Sequence, residues 1–304
     1  MRLRFPHLTY PLRARGRRGI LQLVATLALS LLALPAAAEP ALWAAKSGGA
    51  TVYLFGTVHA LKPELKWETP KIAKAFAESQ ELWLEADDAD AKTMQPIVLQ
   101  LGIDRAHPLS SKLAAADVPR LDAAAKAAGL PGETALEPMR PWLAALTLAT
   151  LPIVKAGYDP AKGVDNVLKA KAAAAGKPVH GLETAEQQMH FFADLPQARQ
   201  VDMLRAVLDE VAGGTAVVKE IMEAWENADL ATIDKDMNED DSAKYPDLHA
   251  ILILNRNRAW AAKIAEWLKS GKGVTFMAVG SAHLVGHDSV QEALKARGIA
   301  VVRE

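Results

Sequence analysis

Residues 51–62, TVYLFGTVHALK, and residues 274–286, VTFMAVGSAHLVG, read alike: an apolar run of strand length stops at a glycine, Gly56 or Gly280, and a histidine follows three positions later, His59 or His283. Short apolar runs rich in β-branched and aromatic residues read as buried strands. A glycine at the strand end lets the backbone turn without a Cβ penalty. Segment 82–84, LWL, is a further strand, and the intervening ETPKIAKAFAESQ carries Pro70 near its start with Ile72 and Phe76 at i, i+4. Residues 51–84 therefore read as a βαβ unit. Its strands run parallel through a right-handed crossover, so His59 and Glu85 emerge at one edge of the sheet.

From about 90 to 160 the chain is rich in Ala and Leu and broken by seven prolines, from Pro96 to Pro152; we read short helices packed over the sheet. GVDNVLKAKAAAAGKPVHGLET opens a helix near Asp165, closes it at Gly176 and leads into a strand at 178–182 ending at Glu183. A long helical stretch follows to about Asp236, interrupted near DLP and AGG. A helix over 246–268 has apolar residues at Ile253, Trp260, Ile264, Trp267 and Leu268. At ~100° per residue, Arg256 falls about 40° to one side of Trp260 and Asn257 about 60° to the other. Two polar side chains thus face inward. An arginine snorkelling at the core edge and an asparagine capping a backbone group would also place them there. Strand 274–279, helix 288–297 and a strand near 299–302 complete a second βαβ-like pair. The predicted fold is α/β: a mixed, largely parallel central sheet from N- and C-terminal βαβ units, with inserted helices packed over it.

The first 38 residues hold six arginines and no acidic residue, followed by the 15-residue apolar run Ile20 to Leu34 and the small-residue site Ala36-Ala37-Ala38. This is the pattern of a secretory signal peptide, and the run is shorter than the ~20 residues of a spanning helix. Arg17-Arg18 are flanked by Gly and Ile, so a Sec-type signal is the reading. We expect 1–38 to be removed, leaving 39–304 as a single periplasmic or secreted domain of a bacterial protein, with no membrane anchor. Taking those arginines from the 35 basic residues leaves 29 against 36 acidic ones, a net charge of about −7. Such a balance argues against a nucleic-acid or anionic-membrane partner. The sequence has no cysteine, which excludes disulfides, thiol catalysis and thiolate metal sites.

The carboxyl edge of a parallel sheet is where α/β proteins bind ligands. Here it collects His59, His283 and Glu85, with Glu183 a further carboxylate. Imidazole and carboxylate make up the ligand set of a catalytic divalent-metal site. A single histidine near a strand end is commonly structural; two independent strand-Gly-x-x-His segments point to a shared task. His287, four residues beyond His283, is a subsidiary candidate, although Gly286 and Asp288 favour a loop there. There is no HExxH helix, no Gly-x-Ser-x-Gly elbow, no Walker loop and no GxGxxG fingerprint. Ser281 neighbours His283, but adjacent side chains after a strand rarely align as nucleophile and base.

In order and spacing, VYLFGTVHAL, ELWLEADD, GVD, GLETAEQQ, NRNRAW and AVGSAHLVG resemble the TraB/GumN family, which includes the TIKI-type metalloproteases and is distantly similar in fold to erythromycin-esterase-like and ChaN-like proteins. The resemblance runs from about Leu42 to the C-terminus. It implies that His59 and His283 are the paired motif histidines, Glu85 the motif glutamate, and Arg256 and Asn257 the inward polar pair. It also implies metal-dependent peptide cleavage with manganese or cobalt; zinc suits the same ligand set. The expected mechanism is hydrolysis of a peptide or small-molecule substrate by a metal-activated water. His59, Glu85 and His283 hold the ion, Glu183 serves as fourth ligand or base, Arg256 stabilises the oxyanion and Asn257 orients a ligand. Two alternatives are a binding module that sequesters a peptide or haem-like ligand, and an esterase of erythromycin-esterase type.

Overall fold

The apolar runs become strands of one sheet because both of its faces are covered. A computed structural model describes residues 39–304, Thr215 apart; the predicted signal peptide lies outside the described residues. The strands are β1 (Leu42–Ser47), β2 (Gly49–Thr57), β3 (Glu81–Ala86), β4 (Val179–Glu183), β5 (Lys272–Gly280) and β6 (Val301–Arg303). Their order across the sheet is β4-β3-β5-β2-β1-β6. The four strands from β4 to β2 are mutually parallel. β1 is antiparallel to both of its neighbours. The sheet is therefore mixed and largely parallel, as the sequence predicts. β5 lies between the two strands of the N-terminal βαβ unit, and β6 pairs with β1 at the far edge instead of beside β5.

The longer helices are α1 (Pro70–Glu78) between β2 and β3; α2 (Ala91–Gly102), α3 (Val118–Ala127), α4 (Pro141–Lys155) and α5 (Val164–Ala174) between β3 and β4; α6 (Ala185–Ala193), α7 (Gln197–Ala212), α8 (Ala216–Glu226) and α9 (Asn255–Ser270) between β4 and β5; and α10 (Val290–Lys295) before β6. α1 starts where the sequence places it. Thr69 caps it by accepting the Ile72 N–H at 3.3 Å, and Pro70, which has no N–H to lose, takes the first position. The helix expected over 246–268 is present and runs to Ser270, as a short α-helix, Pro246–His249, a π-helical turn, Ala250–Leu254, and then α9. None of the helices among the described residues is long and apolar enough to cross a membrane.

Alternation along β2 and β5 distributes the core. Phe55 and Phe276 face Ile72 and Phe76 of α1, Leu168 of α5 and Trp225 of α8. The Phe76 and Phe276 rings meet edge to face at 5.5 Å. Val52, Leu54, Met277 and Val279 face Trp260, Ile264 and Leu268 of α9 and Leu294 of α10. Both faces are thus dry, which is why these strands read as continuous apolar runs. Leu121, Leu148 and Leu204 of α3, α4 and α7 belong to a separate helical core.

Parallel register brings the strand ends together, with Thr57 opposite Gly280 and Ala86 opposite Glu183. The turn after β2 is held from two sides. Trp225 Nε1 donates to the Gly56 carbonyl at 2.8 Å, and the Val164 N–H donates to the Val58 carbonyl at 3.0 Å. Gly163, just before α5, lets that helix approach: a Cβ there would lie 2.3 Å from the His59 carbonyl oxygen. Gly163→Ala must therefore push α5 off the His59 turn. We expect a cost of about 1–3 kcal/mol, read as a Tm lower by about 2–4 °C per kcal/mol. An unchanged melting curve would show that the turn yields freely.

Candidate active site

Burying a carboxylate requires a partner, and here two buried carboxylates share one. Arg256, second residue of α9, reaches back over the sheet edge to Glu183 at the end of β4 and Glu85 in β3. The three side chains are 11%, 10% and 15% exposed. Nε donates to Glu183 Oε1 at 3.0 Å and Oε2 at 3.1 Å, and Nη2 donates to Glu183 Oε2 at 2.8 Å and Glu85 Oε2 at 2.6 Å. Nη1 donates to the Leu252 carbonyl and to His283 Nε2, both at 3.1 Å. Every N–H of the guanidinium is therefore placed. Its plane is flanked by Trp260 at 4.7 Å and Phe191 at 5.3 Å, contacts suited to a delocalised cation.

Glu183 also accepts the Trp260 indole N–H at 3.0 Å and the Gln188 amide at 3.3 Å. Both of its oxygens are fully engaged, so its place is to hold the guanidinium. Glu85 accepts the Gly280 N–H at 2.7 Å and the Gln188 amide at 3.2 Å. Burial alone would raise the Glu85 pKa. The charge His283 carries once protonated, together with Arg256, His59 and the Gly280 N–H, outweighs it and holds the group down at about 2.

His283 is 5% exposed in the turn after β5. Its Nδ1 lies 2.6 Å from Asn257 Oδ1, while the Asn257 amide donates to the Asp288 carbonyl at 2.7 Å. Asn257 thus presents its oxygen to the ring, which fixes the proton on Nδ1 and leaves the Nε2 lone pair free to accept. Burial, with Arg256 adding to it, pushes the imidazole down to about 4. The ring is neutral at pH 7, and the lasting cation beside Glu85 is Arg256.

His59 has the opposite surroundings. Its ring is 69% exposed and its Nδ1 lies 3.1 Å from Asp165 Oδ1. That hydrogen bond raises its pKa to about 9. His59, Glu85, Asp165, Gln188 and Thr57 line one polar cavity of about 210 Å³. The Thr57 hydroxyl is buried there without a partner among the described residues.

The six side chains singled out from the sequence thus fall into a tight group of Glu85, Glu183, Arg256, Asn257 and His283, with His59 across the cavity from Glu85. Gly280 lies at their focus: a Cβ on it would stand 3.0 Å from Glu85 Oε1, 3.7 Å from the His283 ring and 3.8 Å from His59 Nε2. For a divalent ion the donor chemistry fits. Each histidine has Nδ1 engaged by an oxygen and Nε2 turned inward, the arrangement that orients metal-binding imidazoles. As the side chains stand, no group of three or more His, Asp or Glu among the described residues is gathered closely enough to hold a metal, and Arg256 takes up His283 Nε2. Asp165, Gln188 and Trp260 were not singled out from the sequence as site residues. Asp165 sits in the GVD segment and Gln188 in GLETAEQQ, but single-sequence spacing carries no sign of what either side chain meets. His287 is solvent-exposed and lies 3.3 Å from Asp288.

A sequence model described as the TraB/PrgY/gumN family matches residues 41–303. The chain is 24% identical over 257 residues to "Uncharacterized protein YbaP" of Escherichia coli strain K12, with 84% of this chain and 92% of the relative covered. The protein of the same name from Shigella flexneri matches to the same extent. No solved structure gives a significant match.

The two buried groups set a pH dependence. An unfolded histidine titrates near 6.5, and His283 in the fold near 4. Between those values the unfolded chain binds more protons, so stability falls as the pH drops from 6.5 to 4. For Glu85, stability present above 4.5 is lost as the pH falls toward 2. Melting curves from pH 7 to 4 should show a declining Tm, and His283→Gln should flatten the part above pH 4.5. A wild-type Tm constant over that range would contradict a buried, neutral His283.

Proposed function

The chain belongs to the TraB/PrgY/gumN family, and from this premise we propose that it is an exported hydrolase of peptide bonds, with a divalent ion, Mn, Co or Zn, held by His59, Glu85 and His283. The observation that carries the reading is the focus of these three side chains over Gly280, where the missing Cβ leaves room. When bound, the ion would supply Lewis acidity and a water of lowered pKa. Asn257 and Asp165 hold the two imidazoles with Nε2 aimed inward. Glu183, saturated by Arg256, Trp260 and Gln188, anchors the guanidinium; this suits it better than the role of fourth ligand or base.

Arg256 is the group we assign to the developing oxyanion. Its Nη1 N–H now donates to a neutral acceptor, His283 Nε2, so this donor is exchanged at less cost than those on the carboxylates. The leader pattern in residues 1–38 supports export to the periplasm, with the signal peptide removed. Ester hydrolysis would use the same groups, and peptide and activated-ester assays run side by side separate the two. A sequestering role without turnover draws on a different observation, the engagement of both Glu85 and His283 by Arg256.

Elemental analysis of the purified protein, loaded with Mn, Co or Zn and desalted, tests the reading. We expect about one ion per chain, lost in His59→Ala/His283→Ala, together with metal-dependent cleavage of a peptide library by the wild type alone. Retention of the same metal in the double variant would remove these histidines from the site. No cleavage with any of the three ions would favour sequestration.

A further inference from the structure

A second cavity, larger and more apolar, adjoins the site on the β4 side. It encloses about 680 Å³ and is lined by Phe191, Leu195, Ile251, Ala259, Trp260 and Glu183, among others. That volume lies within the range of small-molecule sites, about 300–1,000 Å³. Three of these residues are also walls of the candidate active site. Glu183 holds Arg256, and the rings of Phe191 and Trp260 flank its guanidinium. Consecutive residues of α6 divide the two spaces: Gln187 lines the apolar cavity and Gln188 the polar one beside Glu85. Ile251 is delivered to the wall by the π-helical turn Ala250–Leu254, a distortion that recurs at functional sites.

We infer that this cavity takes a large uncharged side chain, aromatic or aliphatic, of a peptide whose adjoining backbone lies at the Arg256 site. The inference rests on the hydrolase reading and names its substrate class. The charges at the rim favour such a residue over an acidic one. Lys263 is bound to the Leu182 carbonyl, and His190 is paired with Asp194 at 2.9 Å. Glu186, exposed beside them, has no partner among the described residues. Lys263 keeps its charge beside the neutral Leu182 carbonyl, but the cavity lining sets three carboxylates, Glu183, Glu186 and Asp194, around it. An acidic side chain would meet repulsion there, while an apolar one gains burial against Phe191, Ile251 and Trp260.

The test uses capped peptides Ac-Gly-Gly-Xaa-Gly-Gly-NH2 with Xaa Phe, Leu, Gly or Asp, and measures binding by calorimetry and cleavage by mass spectrometry. The Phe peptide should bind at least about 10-fold more tightly than the Gly peptide, the return expected for burying one large side chain, and Asp should bind most weakly. Ala259→Phe fills the cavity from an exposed helix position and should bring the Phe-peptide affinity down to that of the Gly peptide. Equal affinities across the wild-type series, or a Phe preference that survives in a folded Ala259→Phe variant, would overturn the inference. Selective binding of Phe without cleavage would leave the cavity assignment standing and sink the hydrolase reading. Cleavage without side-chain preference would do the reverse.

Discussion

The pairing of one buried guanidinium with two buried carboxylates is the constraint on which the rest of this structure turns. Removing an ion from water costs several kcal/mol even after the protein relaxes, and three ions are removed together here. Arg256 makes the arrangement tolerable because its planar fork serves Glu85 and Glu183 at once. A lysine could not reach both carboxylates with fixed geometry. The requirement places α9 across the carboxyl ends of β3 and β4. It also demands Trp260 one turn further on, which supplies a face to the cation and an N–H to Glu183.

The charges of this cluster do not cancel. Glu85 and Glu183 contribute two negative charges, Arg256 one positive charge, and His283 none while its ring is neutral. One negative charge is left at the edge of the sheet, lying toward the polar cavity and His59. The residual negative charge, the oriented imidazoles and the Thr57 hydroxyl, unpartnered among the described residues, are what the proposed cation would meet. Without a metal, the protonated His59 ring faces that charge; a divalent ion held by His59 would take the place of the ring's proton.

Much of this architecture is legible in the sequence because the parallel strands are buried on both faces and so appear as unbroken apolar runs. Gly56 and Gly280 then mark where those runs end, and the helical wheel of α9 turns Arg256 and Asn257 inward beside Trp260. What escapes the sequence depends on contacts distant along the chain. β1 is not visible in the sequence because LWAAKS centres on two alanines and has no β-branched residue; its pairing with β2 rests on a turn at Gly48, whose φ of +59° is written in no pattern longer than two glycines. The π-helical turn before α9 is invisible for a different reason: Ala-Ile-Leu-Ile-Leu suits an α-helix equally well, and tertiary packing selects the wider turn. Asp165 and Gln188 are polar residues in the opening turns of helices, where capping and dipole effects are sufficient local reasons for them. Only the fold reveals that each also touches a site residue.

The recurrence of Gly-x-x-His now has a physical meaning that spacing alone did not supply. The two histidines leave neighbouring parallel strands at the same level and have Nδ1 held by an oxygen, yet their surroundings drive them apart. His59 is exposed and bonded to a carboxylate, which favours the charged ring; His283 is buried against a neutral amide and a guanidinium, which favours the neutral one. Transposing the partners, an amide beside His59 and a carboxylate beside His283, would favour the charged His283 ring and bury a further ion pair next to Arg256, Glu85 and Glu183, with its own desolvation cost. The asymmetry of the pair therefore follows from the same charge constraint that fixes Arg256.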